Sequence, residues 1–190
     1  MKDMLEIRWH GRGGQGIVTA AVTLGDILGP EGKYVQAFPE FGAEKRGAPI
    51  LAFTRISDRP IRLHSQVTNP DIVVVADPTL LGLVDIKAGT GDDAIIIINT
   101  PFDPSFIKDK LALHPRKIYT LDAYTIANEE FGRPIPNVPL LAALVKVTSL
   151  LPKEKFKERI EKSLSKKLRP EVVEGNLRTI DRAYKEVKGE

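Results

Sequence analysis

The sequence predicts an α/β fold: three layers, α/β/α, around a mixed, mostly parallel sheet, with a helical C-terminal part. Three observations carry this. The runs "DIVVVAD" (71–77) and "AIIIINT" (94–100) are continuous, β-branched and short, as strands buried on both faces are. Helical patterns alternate with the strands, which argues helices packed on a sheet. From about residue 136 the pattern is helical throughout. A single domain over 1–190 is expected, with 136–190 as its helical part. A chain of 190 residues, 42% hydrophobic, can bury one such core without staples.

The elements follow in order. "LEIRWH" (5–10) reads as a strand and "GIVTAAVTLGDIL" (16–28) as a helix, with Ile17, Val18, Ala21, Leu24, Ile27 and Leu28 at helical spacing. Gly29-Pro30 ends it. "KYVQAF" (33–38) is the next strand, and a right-handed crossover would pair it parallel to the first. "PEFGAEKRGAPI" (39–50) reads as a loop, with glycines, prolines and charges. "ILAFTRI" (50–56) and "PIRLHS" (60–65) flank a turn and suggest a hairpin, hence a mixed sheet. Between the two buried strands, "TLLGLVDIKAG" (79–89) is a short helix or two turns. "KIYTLD" (117–122) is a further strand and "AYTIANEEF" (123–131) a helix. Pro139 suits the first turn of "PLLAALVKVTSLL". Phe156, Ile160, Leu164 and Leu168 form one apolar row, and Val173, Leu177, Ile180, Tyr184 and Val187 another. Both rows are expected to bury in the chain's own core, the other reading being a partner subunit.

Composition removes several classes of function. Cysteine is absent, so this chain holds no disulfide, no thiolate nucleophile and no cysteine-ligated cluster. His10, His64 and His114 lack metal-ligand spacing. No apolar run approaches the roughly 20 residues of a membrane span, and "MKDMLEIRWH" has no apolar signal core. A cytoplasmic location without membrane contact is expected. Residues 152–190 carry 12 Lys/Arg against 8 Asp/Glu, whereas 1–151 carry 16 against 17. The basic residues of the C-terminal part are interleaved with acids, which suits a solvated helix face better than nucleic acid.

Gly11-Arg12-Gly13-Gly14-Gln15-Gly16 fits G-x-G-x-x-G, with a strand before it and a helix after. Free N–H groups at a helix start attract anions, and Arg12 could reach a phosphate. A dinucleotide site also wants an acid roughly 20 residues on to hold the ribose. That position is Gln36, followed by Ala37 and Phe38; the nearest acid, Glu40, lies beyond Pro39. The P-loop Gly-Lys-Ser/Thr is also missing. The plain alternative is a glycine turn that lets strand and helix pack closely, with no ligand.

"IRWHGRGGQGIVTAA", "GKYVQAFPEFGAEKRGAPILAFTRISDRPIR", "NPDIVVVADPTLL", "IPNVPLLAALVKVTSLLP" and "EVVEGNLRTIDRAYKEV" together resemble the gamma subunit of 2-oxoacid:ferredoxin oxidoreductases, the pyruvate and 2-ketoisovalerate enzymes in particular. The blocks come in the family's order over nearly the whole chain, and "FPEFGAEKRGAP" is the most specific. The resemblance implies a heterotetrameric complex with alpha, beta and delta subunits. That complex decarboxylates a 2-oxoacid, transfers the acyl group to coenzyme A and passes electrons to ferredoxin. It implies thiamine diphosphate with magnesium between alpha and beta, and [4Fe-4S] clusters on delta and beta. This chain agrees in lacking cysteine and the G-D-G thiamine signature: Gly25-Asp26 is followed by Ile27, and Gly91-Asp92 by Asp93. It should be inert alone, with no catalytic residue and no metal of its own.

On the family pattern, Gly11, Arg12, Gly13, Gly14, Gln15 and Gly16 form a loop expected at coenzyme A or at a subunit boundary. Glu44 and Arg46 are expected to face a partner or the active-site approach, the alternative being a solvated pair. Asp77 and Asn137 read as caps, and His10 as structural. Two rival functions stay open. One is a free-standing nucleotide-binding oxidoreductase using the glycine loop. The other is a purely structural assembly subunit.

Overall fold

The structure is a computed structural model that describes residues 3–40 and 47–189. Its strands are β1 (Met4–Arg12), β2 (Tyr34–Pro39), β3 (Pro49–Ser57), β4 (Ile72–Val75), β5 (Ile95–Asn99), β6 (Lys117–Leu121) and β7 (Lys188–Gly189). Its helices are α1 (Ile17–Leu28), α2 (Pro104–Lys110), α3 (Ala123–Phe131), α4 (Asn137–Thr148), α5 (Lys153–Leu164) and α6 (Pro170–Glu186). The seven strands form one sheet in the order β2-β3-β1-β4-β5-β6-β7. β1, β4, β5 and β6 run parallel, and β3 and β7 run against them. β2 is antiparallel to β3 and so shares the majority direction. The sheet is mixed and mostly parallel, as the sequence predicts.

Two expectations fail for one reason. β1 and β2 point the same way but do not pair, because β3 returns between them and bonds to both. With both edges of β3 occupied, no edge is left for a hairpin with 60–65. That segment instead crosses the sheet face: Gln36 Nε2 donates to the Leu63 carbonyl and Arg55 Nη2 to that of Gln66.

β4 and β5 are the buried runs expected. One face of the sheet carries α1, α3, α4, α5 and α6, packed around Trp9, Leu24, Ile97, Leu141, Phe156 and Ile180. The other face is thin. Val73, Val75, Ile96, Ile98 and Ile118 meet Ile86 from the turns after β4 and Ile107 and Leu113 from α2 and the turn after it, with Leu81, Val84 and Leu111 half-buried against them. Residues 78–90 form a 3-10 turn (Pro78–Leu80) and further turns, one of the two forms expected. α2 is unforeseen in the sequence, although Asp103-Pro104 places a proline in its first turn.

The rows on α5 and α6 enter the chain's own core. Phe156, Ile160 and Ile180 are fully buried, with Leu164, Leu177, Tyr184 and Val187 packed against them. Leu168 does not join its row, because α5 ends at Leu164; it is exposed. Arg159 and Lys155 of α5 both pair with Glu31, tying the C-terminal part to the turn after α1. No helix among the described residues is long and apolar enough to cross a membrane.

Candidate functional site

The glycine block begins inside the sheet. β1 continues two residues past His10, so Gly11 pairs with Ile50 and Arg12 with Pro49. A Cβ on Gly11 would lie 2.7 Å from Ile17 Cγ2, so the absent side chain lets α1 sit against the strand. Gly16 precedes α1 with φ 75°, and a Cβ there would lie 2.8 Å from Asn137 Nδ2. Gly14, φ 97°, has nothing within 4 Å of the same position. The first and last glycines are therefore required by packing. Gly13 and Gly14 are exposed at the tip.

Gln15 ties the loop down, with both of its amide N–H groups and its carbonyl oxygen engaged. Its Oε1 accepts from Arg12 N at 2.7 Å, and its Nε2 donates to Asp77 Oδ2 and to Tyr124 OH, both at 2.6 Å. Asp77 follows β4 and caps the 3-10 turn, accepting from Thr79 N at 2.8 Å and Thr79 Oγ1 at 2.6 Å. The cap expected of Asp77 is present, and more is attached to it. Arg12 Nε lies 3.3 Å from Asp77 Oδ2, and Arg12 Nη2 donates to Thr79 Oγ1 at 2.9 Å. Arg12 Nη1 donates to the Gly47 carbonyl at 2.8 Å. Arg12 thus holds the glycine loop, the end of β4 and the entry to β3 together.

Burial raises the carboxyl pKa of Asp77, but the bonds from Thr79 and Gln15 and the charge of Arg12 outweigh it and hold it below the usual range. Burial, with the charge of Asp77, pushes the Tyr124 phenol up to about 12. The cluster therefore carries one cation and one anion, paired, and a neutral phenol. It lies at the carboxyl end of the parallel strands, where open α/β sheets place their ligands. Its tip, Gly13 and Gly14, is exposed, and the charge of Arg12 is already balanced by Asp77.

The other sequence candidates are scattered. Asn137 is not the cap the sequence suggests: Pro136 takes the cap position without a side-chain bond, so Asn137 is the first residue of α4, where its Oδ1 accepts from the neighbouring Val138 N and its amide lies beside Gly16. His10 is buried on β1, and its Nε2 accepts from Arg8 Nε at 3.0 Å. Burial and the charge of Arg8 lower its pKa to about 4, so it is neutral near pH 7. His64 is exposed, and His114 bonds to Asp109 at 2.8 Å. Glu44 and Arg46 lie outside the described residues. Sequence reasoning missed Gln15 as the staple and Tyr124 as its partner. A glutamine among glycines was the available signal. Among the described residues, no group of three or more His, Asp or Glu side chains converges as a metal site would.

Comparison with known proteins agrees with the fold and extends it. Pyruvate synthase subunit PorC of Thermotoga maritima is 48% identical over 187 residues, covering 98% of this chain and 96% of that protein. The pyruvate/ketoisovalerate oxidoreductases common subunit gamma of Pyrococcus furiosus is 47% identical over 185 residues, covering 97% of this chain and 98% of its own. The crystal structure of the Thermotoga maritima pyruvate oxidoreductase subunit PORC superposes with a TM-score of 0.86 at 44% identity, over 100% of this chain and 99% of that one. Residues 6–186 match the family described as pyruvate ferredoxin/flavodoxin oxidoreductase, and the chain belongs to that family.

Proposed function

We propose that this chain is the gamma subunit of a 2-oxoacid:ferredoxin oxidoreductase, with pyruvate as the first oxoacid to test. The observation that carries the reading is near-complete coverage, at 48% identity, of a pyruvate synthase subunit. The complex would convert the 2-oxoacid and coenzyme A to acyl-CoA and carbon dioxide, with electrons leaving to ferredoxin. Alpha, beta and delta subunits would be its partners, in the cytoplasm. The chain has no cysteine for an iron–sulfur cluster, and among the described residues no group of acidic or histidine side chains converges to hold magnesium. Thiamine diphosphate, magnesium and the clusters are therefore assigned to the neighbours. Residues 1–190 act as one unit in this reading, supported by the burial of α5 and α6 in the same core as α1.

Within the chain, the tip of the glycine loop is the part that would meet coenzyme A or an adjoining subunit. The exposed Gly13 and Gly14 support this, and Arg12 is its brace. Gly13→Ala should then raise KM for coenzyme A with kcat kept, or weaken assembly. On the family block alone, Glu44 and Arg46 are assigned to a partner contact or the active-site approach, and Arg46→Glu should lower assembly or turnover. Normal activity of the Arg46→Glu complex refutes that assignment.

The deciding experiment is a pull-down of the tagged chain from its host, assayed for iron, thiamine diphosphate and CoA-dependent reduction of an electron acceptor. Co-elution with pyruvate activity supports the proposal. A chain that elutes alone and binds a nucleotide refutes it in favour of a free-standing oxidoreductase. A complex that keeps full activity without the chain favours a structural subunit.

A further inference from the structure

Two arginines lie on the thin face of the sheet, and their surroundings differ. Arg55 on β3 is 1% exposed and has its own carboxylate, Glu6 Oε1 at 2.9 Å. Arg8 on β1 is 7% exposed and forms no ion pair with any carboxylate among the described residues. Neutral acceptors hold it: Nη2 donates to the carbonyls of Ile86 at 3.0 Å and Ala88 at 2.8 Å, and Nε donates to His10 Nε2. Asp85 attracts it only from a distance. A buried charge without a direct ion pair is costly, and side chains in that position normally gain a contacting partner.

Arg8 and His10 line a cleft of about 500 Å³. Its walls are apolar, from Val18, Pro39, Ile50, Leu80, Val84 and Ala88. Arg8 Nη1 and His10 Nδ1 have no partner among the described residues, yet neither is sealed from solvent. Because His10 Nε2 accepts from Arg8, the single proton of the neutral ring sits on Nδ1. The cleft thus offers one buried cation and a second N–H donor amid apolar walls. Two acids also line it: Glu40, bonded to Gln66, and the exposed Asp85. These disfavour a dianion such as phosphate and leave a compact monoanion as the better fit.

We propose that this cleft binds a small carboxylate with a short apolar body, its carboxylate on Arg8 Nη1 and His10 Nδ1 and its hydrocarbon against Val84 and Leu80. The carboxylate completes the ion pair that Arg8 lacks, as Glu6 does for Arg55. The site is read from this chain alone and does not rest on the gamma-subunit assignment.

The test uses the full chain and three probes: isobutyrate, its neutral analogue isobutanol, and inorganic phosphate. Binding is read from the imidazole resonances of His10 and from the thermal midpoint, which a ligand of the folded state raises. Isobutyrate should saturate, shift the His10 ring signals and raise the midpoint. Isobutanol should bind roughly ten-fold more weakly or less, the ratio one charge-assisted contact of about 1.4 kcal/mol supplies. Arg8→Met should abolish the isobutyrate effect. Val84→Trp, which narrows the cleft from its wall and leaves Arg8 in place, should abolish it too, so the result does not depend on one variant folding. Equal binding of isobutyrate and isobutanol overturns the proposal, as does tighter binding of phosphate. So does the absence of any saturable isobutyrate effect at tens of millimolar; the counter-charge then comes from another protein chain or is not needed.

Discussion

Alanine at Gly14 and alanine at Gly16 should cost different amounts, and the difference measures how closely α4 approaches the glycine loop. Both residues have positive φ, 97° and 75°. A Cβ on either is strained, at about 1–3 kcal/mol. At Gly14 nothing else opposes it, because no atom lies within 4 Å. At Gly16 the new Cβ falls 2.8 Å from Asn137 Nδ2, 3.1 Å from its Cγ and 3.2 Å from its Cβ. Asn137 begins α4, whose next eight residues are all buried, so the helix has little room to retreat. Overpacking of this kind adds about 1–3 kcal/mol. Urea unfolding of the full chain should therefore place Gly16→Ala below Gly14→Ala by about that amount. Asn137→Ala removes the two nearest obstructing atoms, Nδ2 and Cγ, and keeps only Cβ at 3.2 Å, so Gly16→Ala/Asn137→Ala should be more stable than the sum of its single costs predicts. Equal costs for the two glycines, or strictly additive costs in the double variant, would falsify the reading that the last glycine of the block is required by packing.

Further outcomes follow from the same structure. Glu6→Gln strands the buried Arg55 guanidinium and should cost about 3–5 kcal/mol in unfolding free energy; a cost below about 1 kcal/mol would mean that Gln36 and the Gln66 carbonyl suffice. His10 is held near pKa 4, below the ordinary value of 6.5. The unfolded chain therefore takes up a proton that the folded chain refuses, and stability falls as pH drops from about 6.5 to about 4. The wild type minus His10→Asn difference should show that loss, and parallel curves would sink the assignment. Phe156→Ala on α5, emptying a fully buried site, should cost about 3–5 kcal/mol. A much smaller effect would detach the C-terminal helices from the core.

The parts of the fold legible in the sequence were those set by local pattern. β4 and β5 were visible as unbroken β-branched runs, and α6 as a row of apolar residues. Strand order was not, because it is decided by which edge a later strand takes. Nothing local to "KYVQAF" says that β3 will occupy the place beside β1. The span 60–65 alternates well enough for a strand, yet both edges of its intended partner were already used. In the site, the glycines announced a tight turn, and Asp77 was legible as a cap because Pro78 follows it. Gln15, Tyr124 and Arg12 acquire their roles only across separations of 62, 109 and 67 residues. No sequence window contains such contacts.

The place of β1 sets the order in which the sheet can be completed. Among the described strands it comes first in chain order and lies in the interior of the sheet, yet both of its neighbours come later, β3 ending at Ser57 and β4 at Val75. On the ribosome β1 would lack its first sheet partner until β3 is complete at Ser57 and its second until β4 is complete at Val75, with Ile7 and Trp9 meanwhile uncovered. The pair Glu31–Arg159 closes later still, across 128 residues. Loops of that length are slow to close. The nascent chain thus carries an apolar, unpaired strand through the first part of its synthesis, and early association with a chaperone or a sister subunit would serve it.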